Sequence, residues 1–139
     1  MCDTRRFVQR FSEDWTNLDP ESFGKWWHST GTVFWPGMTR PISGPNEEPG
    51  VVARLKSTMP DFRQEVTSWG AHESDVFIEW KVNATMAGKK LEWSGVTHFV
   101  LQNDEAMKAV AYFDTQPLWA AVDPAMVRPP LLSVSGVQA

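Results

Sequence analysis

The hydrophobic period of this chain changes once, near Pro60, and that change limits what it can fold into. Before Pro60 the apolar residues recur at helical spacing; after it they alternate. Helices followed by an antiparallel meander imply an α+β layout, with helices packed on one face of a curved sheet. Phe7, Val8, Phe11, Trp15 and Leu18 share one stripe, which predicts a helix over residues 4–18 capped by Asp3 or Thr4. Asp19-Pro20-Glu21 reads as the start of a short second helix carrying Phe23, Trp26 and Trp27. Thr30 to Trp35 is a β-prone run stopped by Pro36-Gly37, and the proline-rich stretch from Pro36 to Pro49 reads as a long loop. A third helix is expected from Pro49 to Met59, closed by Pro60.

Strands are expected over 61–73, with a bulge near Gly70, and over 75–87, 91–102 and 107–115. Val76, Ile78, Trp80, Val82 and Ala84 share one face of the second of these, and Trp93, Thr97, Phe99 and Leu101 one face of the third. Gly88-Lys89 and Asn103-Asp104-Glu105 supply the turns. The domain is expected to span 1–122, with 123–139 as a proline-containing tail.

At 139 residues the chain suits one domain, and its net charge of -4 with no basic stripe argues against nucleic acid as a partner. The single cysteine, Cys2, excludes an intramolecular disulfide, and the three scattered histidines show no metal-ligand spacing. No leader and no apolar run long enough to span a membrane is visible, so a cytoplasmic location is expected. Eight Trp and eight Phe stand against one Tyr. So many indoles either line a cavity for a hydrophobic small molecule or fill a bulky core and a dimer face.

Asp114 ends an apolar run, Val110-Ala111-Tyr112-Phe113-Asp114. If Tyr112 faces a cavity, alternation puts Asp114 there too, where desolvation would suit a general acid or base. The alternative is that Asp114 opens the turn into Thr115-Gln116-Pro117. Alternation turns His98 outward, and a turn at Gly88-Lys89 sets it opposite Glu79. A shift of one residue would instead make it a cavity imidazole working with Asp114; Thr97 is the alternative inward polar group. Trp15 and Trp80 are candidate walls, and Trp35 a candidate gate.

Several strings resemble the SnoaL-like, polyketide-cyclase branch of the NTF2-like superfamily. They are Asn17-Leu18-Asp19-Pro20-Glu21, Val33-Phe34-Trp35-Pro36-Gly37, Ser68-Trp69-Gly70-Ala71, Phe77-Ile78-Glu79-Trp80, Trp93-Ser94-Gly95-Val96-Thr97-His98-Phe99 and Tyr112-Phe113-Asp114-Thr115-Gln116-Pro117-Leu118. The resemblance implies a cone, a curved antiparallel sheet wrapped around three N-terminal helices, paired into homodimers. It also implies a catalytic Asp on the last strand, matching Asp114, used without metal or cofactor, and a partner at His98 or Thr97. Two groups of the related ketosteroid isomerases are missing: Trp35 stands where they place their general base, and no Tyr precedes Tyr112. The limonene-epoxide-hydrolase Asp–Arg–Asp triad cannot be assembled either. The expected function is a cofactor-free acid/base enzyme, of cyclase or isomerase type, acting on a hydrophobic cyclic or polyketide-like carbonyl compound. Asp114 and His98 would be catalytic; Tyr112, Thr97, Trp35, Trp80 and Trp15 would bind. The alternative is a non-catalytic small-molecule binding protein on the same fold.

Overall fold

A computed structural model describes residues 3–123. The expected tail lies outside them apart from Asp123, as does Cys2. The first helix, α1 (Thr4–Asn17), starts where the Asp3 carboxylate accepts the Arg6 amide, and ends at Leu18 in the left-handed region (φ 51°). Its buried stripe of Phe7, Val8, Phe11 and Trp15 is the one read from the sequence.

The expected helix after Asp19 is a run of turns over residues 20–26. Asp19 binds the Glu21 amide with its side chain and the Phe23 amide with its carbonyl, and Gly24 at φ 77° stops the turn from propagating. Trp27 then begins β1 (Trp27–Phe34), followed by β2 (Ile42–Ser43). Helix α2 (Gly44–Thr58) starts five residues before the expected Pro49. Ser43 caps it by accepting the Asn46 amide, while Glu47 reaches back to the Ser43 amide, a near relative of the capping box. Pro45 lies in the first turn, where no N–H is needed, whereas Pro49 lies inside the helix. Gly44 is buried against the Trp27 indole, leaving no space for a Cβ.

Four long strands follow: β3 (Arg63–His72), β4 (Asp75–Met86), β5 (Lys89–Gln102) and β6 (Glu105–Phe113). A last helix, α3 (Gln116–Val122), has Pro117 in its first turn, so this proline opens a helix as well as following a strand. The sheet is curved and unclosed, in the order β2-β1-β6-β5-β4-β3. The long strands pair antiparallel as expected, whereas β1 lies parallel to β6. The bulge in β3 falls between Val66 and Ser68 rather than near Gly70.

The β4–β5 hairpin turns at Ala87-Gly88, both at positive φ as a type I′ turn requires. Met86 therefore faces Lys89, and the register moves by two residues from the expected one. The facing survives, because a shift of two preserves alternation. Among the described residues, no helix is long and apolar enough to cross a membrane.

Candidate functional site

Six of the eight indoles divide between two jobs. Trp26 and Trp27 fill the interior, packed with Phe7, Phe11, Phe23 and Phe99 in edge-on and tilted contacts at 5.0–6.3 Å between ring centroids. Trp15, Trp35, Trp80 and Trp93 instead surround a chamber of about 210 Å³ between the helices and the sheet. Phe11 of α1, Leu55 and Met59 of α2, Phe62, Gln64 of β3, Val82 of β4, Thr97 of β5, Ala111 and Phe113 of β6 and Leu118 of α3 complete the wall. An apolar cavity of about 150 Å³ accepts benzene and stays dry. This one is therefore scaled to a ligand of one or two rings. Trp35, Leu55, Phe113 and Leu118 are half-buried, which marks the side on which the chamber meets solvent.

Two polar side chains interrupt the apolar wall. Thr97 is 6% exposed, and its hydroxyl oxygen accepts the Trp80 indole N–H at 2.9 Å. Gln64 is 5% exposed, with Val82 as its register partner. Trp80 itself depends on Gly95, its partner across β4 and β5: a Cβ there would meet the Trp80 ring at 2.6 Å. No Asp, Glu, His, Lys, Arg, Cys or Tyr lines the chamber among the described residues.

The structure brings Trp15, Trp35, Trp80 and Thr97 together in that wall. It does not bring Asp114, His98 or Tyr112 there. Ala111 and Phe113 face the chamber, so alternation turns Tyr112 and Asp114 outward. Tyr112 is 60% exposed. Asp114 is exposed, and its Oδ1 accepts the Gln116 amide at 2.9 Å, as the turn reading had it. The expectation that Asp114 follows a cavity-facing Tyr112 is corrected: the small Ala111, not the ring beside it, marks the inner face. His98 also lies on the outer face. Its expected partner Glu79 is replaced by Phe77, on which the imidazole stacks at 4.3 Å, and by Asp75, 2.7 Å from Nε2. Arg40 lies outside the chamber, exposed and paired with Glu47 at 3.5 Å. No group of three His, Cys, Asp or Glu side chains is placed to hold a metal ion among the described residues.

A profile of the SnoaL-like domain family matches residues 8–110. The chain belongs to the SnoaL-like family. Solved structures share its fold at low identity. A Catenulispora acidiphila protein of ketosteroid isomerase-like fold, crystallised with trimethylamine, superposes with a TM-score of 0.78 at 17% identity, over 93% of this chain and 100% of that one. IdmH of Streptomyces antibioticus, a candidate polyketide cyclase, gives 0.75 at 12% identity over 86% and 98%. A second candidate polyketide cyclase, from Acidithiobacillus ferrooxidans, gives 0.72 at 19% identity over 86% and 94%. No curated protein sequence matches this one. At these identities the SnoaL-like likeness to solved structures establishes the fold, not the chemistry.

Sequence reasoning missed one buried acid because it read residues 36–49 as a loop. Glu48 is 2% exposed on α2, and its Oε1 accepts the Trp27 indole N–H at 2.9 Å. Burial raises its pKa to about 8, against the stabilising Trp27 bond, with Asp14 adding a smaller push in the same direction. Below pH 4.5 both folded and unfolded states hold this proton. As pH rises the unfolded chain releases it first, so folding stability falls by about 1.4 kcal/mol per pH unit until the folded acid ionises near pH 8. Glu48→Gln keeps an acceptor for Trp27 and removes the titration. Urea unfolding across this range should show a flatter pH profile in Glu48→Gln, and higher stability than wild type at pH 7.5. Parallel profiles would contradict the buried, proton-holding state.

Proposed function

We propose that this protein binds an uncharged, largely apolar molecule of one or two rings inside the indole-walled chamber, without acid/base chemistry there. The observation that carries this reading is the composition of the wall: four indoles, two neutral polar side chains and no titratable group among the described residues. An ionised ligand entering such a wall would lose its hydration and gain no counter-charge. The cyclase or isomerase reading rested on Asp114 as a desolvated acid with His98 beside it. Both lie outside the chamber, so this reading favours the binding alternative. The SnoaL-like fold, shared with candidate polyketide cyclases, supports a small-molecule pocket in this position.

The homodimer remains part of the proposal. Phe77 and Tyr112 are large, exposed and on the outer face of the sheet, where a second copy can cover them. Sedimentation velocity at micromolar concentration should give twice the chain mass, and a monomer would contradict it.

The chamber itself is tested by plugging it. Ala111 is 5% exposed and points inward, so Ala111→Phe fills space without adding charge. Calorimetric titration with naphthalene should show one site per chain in the wild type. Affinity should fall at least about tenfold in Ala111→Phe, with circular dichroism confirming that the variant is folded. Equal affinity in the two proteins would place binding elsewhere.

A further inference from the structure

Gln64 is a carboxamide where an apolar side chain would fill the wall at lower desolvation cost. It lies on β3 with Phe62 two residues before it and Val82 paired to it across the sheet, and Trp93 lies opposite Val82 on the next strand. Alternation turns it inward while Arg63 and Glu65 point to solvent. It is buried, and its side chain makes no hydrogen bond with any described residue. Yet no buried side-chain polar atom among the described residues is sealed away without a partner. The Gln64 amide is therefore open to space, and the space it borders is the chamber.

We infer that Gln64 determines specificity in this chamber, selecting a neutral ring compound that carries a carbonyl or hydroxyl oxygen. The inference rests on the reading of the chamber as a binding site for an apolar molecule, and adds the feature that distinguishes one such molecule from another. The amide reads either oxygen: its NH₂ donates to a carbonyl, and its own carbonyl accepts from a hydroxyl. An apolar molecule of the same shape would leave the amide buried and unpaired, so the oxygenated ligand is favoured over its hydrocarbon parent. A carboxylate or phosphate gains nothing comparable, because the wall offers no cation among the described residues. Thr97 provides a second, weaker point of recognition. Its oxygen is occupied by the Trp80 N–H, which leaves its O–H free in direction to donate toward a ligand acceptor.

The test compares naphthalene, 1-naphthol and 1-naphthoate at pH 7.5 by calorimetry, on wild type, Gln64→Met and Gln64→Leu. Met follows the length of glutamine and Leu offers a second apolar replacement if the Met variant does not fold. The wild type should bind 1-naphthol about tenfold tighter than naphthalene and 1-naphthoate at least about tenfold more weakly than naphthalene. Replacing Gln64 should bring 1-naphthol to the naphthalene affinity while leaving naphthalene within about threefold of wild type. A 1-naphthol preference that survives both substitutions, or no preference in the wild type, overturns the role of Gln64 while the chamber remains a binding site. Failure of all three probes to bind the wild type overturns the chamber reading, and this inference with it.

Discussion

An indole N–H sealed in a protein interior needs an acceptor, and three indoles of this SnoaL-like cone meet that demand with partners that fix its arrangement. Leaving one such donor buried and unpaired costs about 1–3 kcal/mol. Trp26 donates to Asp14, Trp27 to Glu48 and Trp80 to Thr97, at 2.8–2.9 Å. The first two bonds tie α1 and α2 to the segment entering β1. That end of the cone is filled with aromatic rings. The third bond is made within the sheet, between β4 and β5, and holds the Trp80 ring as a wall rather than a plug.

The division between a filled end and a hollow one has a chemical consequence. Asp14 and Glu48, the acids that serve the indoles, stand at the filled end, where one is half-buried and the other holds its proton. Among the described residues the hollow end keeps neutral polar groups only, Gln64 and Thr97. A chamber of this kind discriminates by shape and by one or two hydrogen bonds, not by charge. It is also poorly equipped for proton transfer, because no side chain in its wall among the described residues changes charge near neutral pH.

Much of this was legible in the sequence. The inner faces of β4 and β5 follow from strict alternation, and the α1 stripe from its spacing, so Trp15, Trp80 and Thr97 could be placed in the interior at once. The resemblance strings gave the cone and its family. Three things were not legible. The segment 36–49 read as loop because its prolines hid a helix whose first turn needs no N–H donors, and Glu48 went unnoticed with it. The facing of β6 was misjudged because alanines, Ala109 and Ala111, hold its most buried inner positions, and the aromatic pair Tyr112-Phe113 reads equally well either way round; Phe113 takes the inner side and Tyr112 and Asp114 the outer. Gln64 carried no motif; only the bulge after Val66 and the pairing with Val82 show that a polar residue on the edge strand faces the chamber.

The account stands on the chamber being a dry, open cavity of the folded protein. Diffraction from crystals pressurised with xenon reads this directly, since the gas occupies apolar cavities and scatters strongly. Xenon density enclosed by Trp15, Trp35, Trp80 and Trp93 is the result expected here. A chamber collapsed onto its own side chains, or filled by ordered water bonded to Gln64 and Thr97 with no xenon, would contradict it.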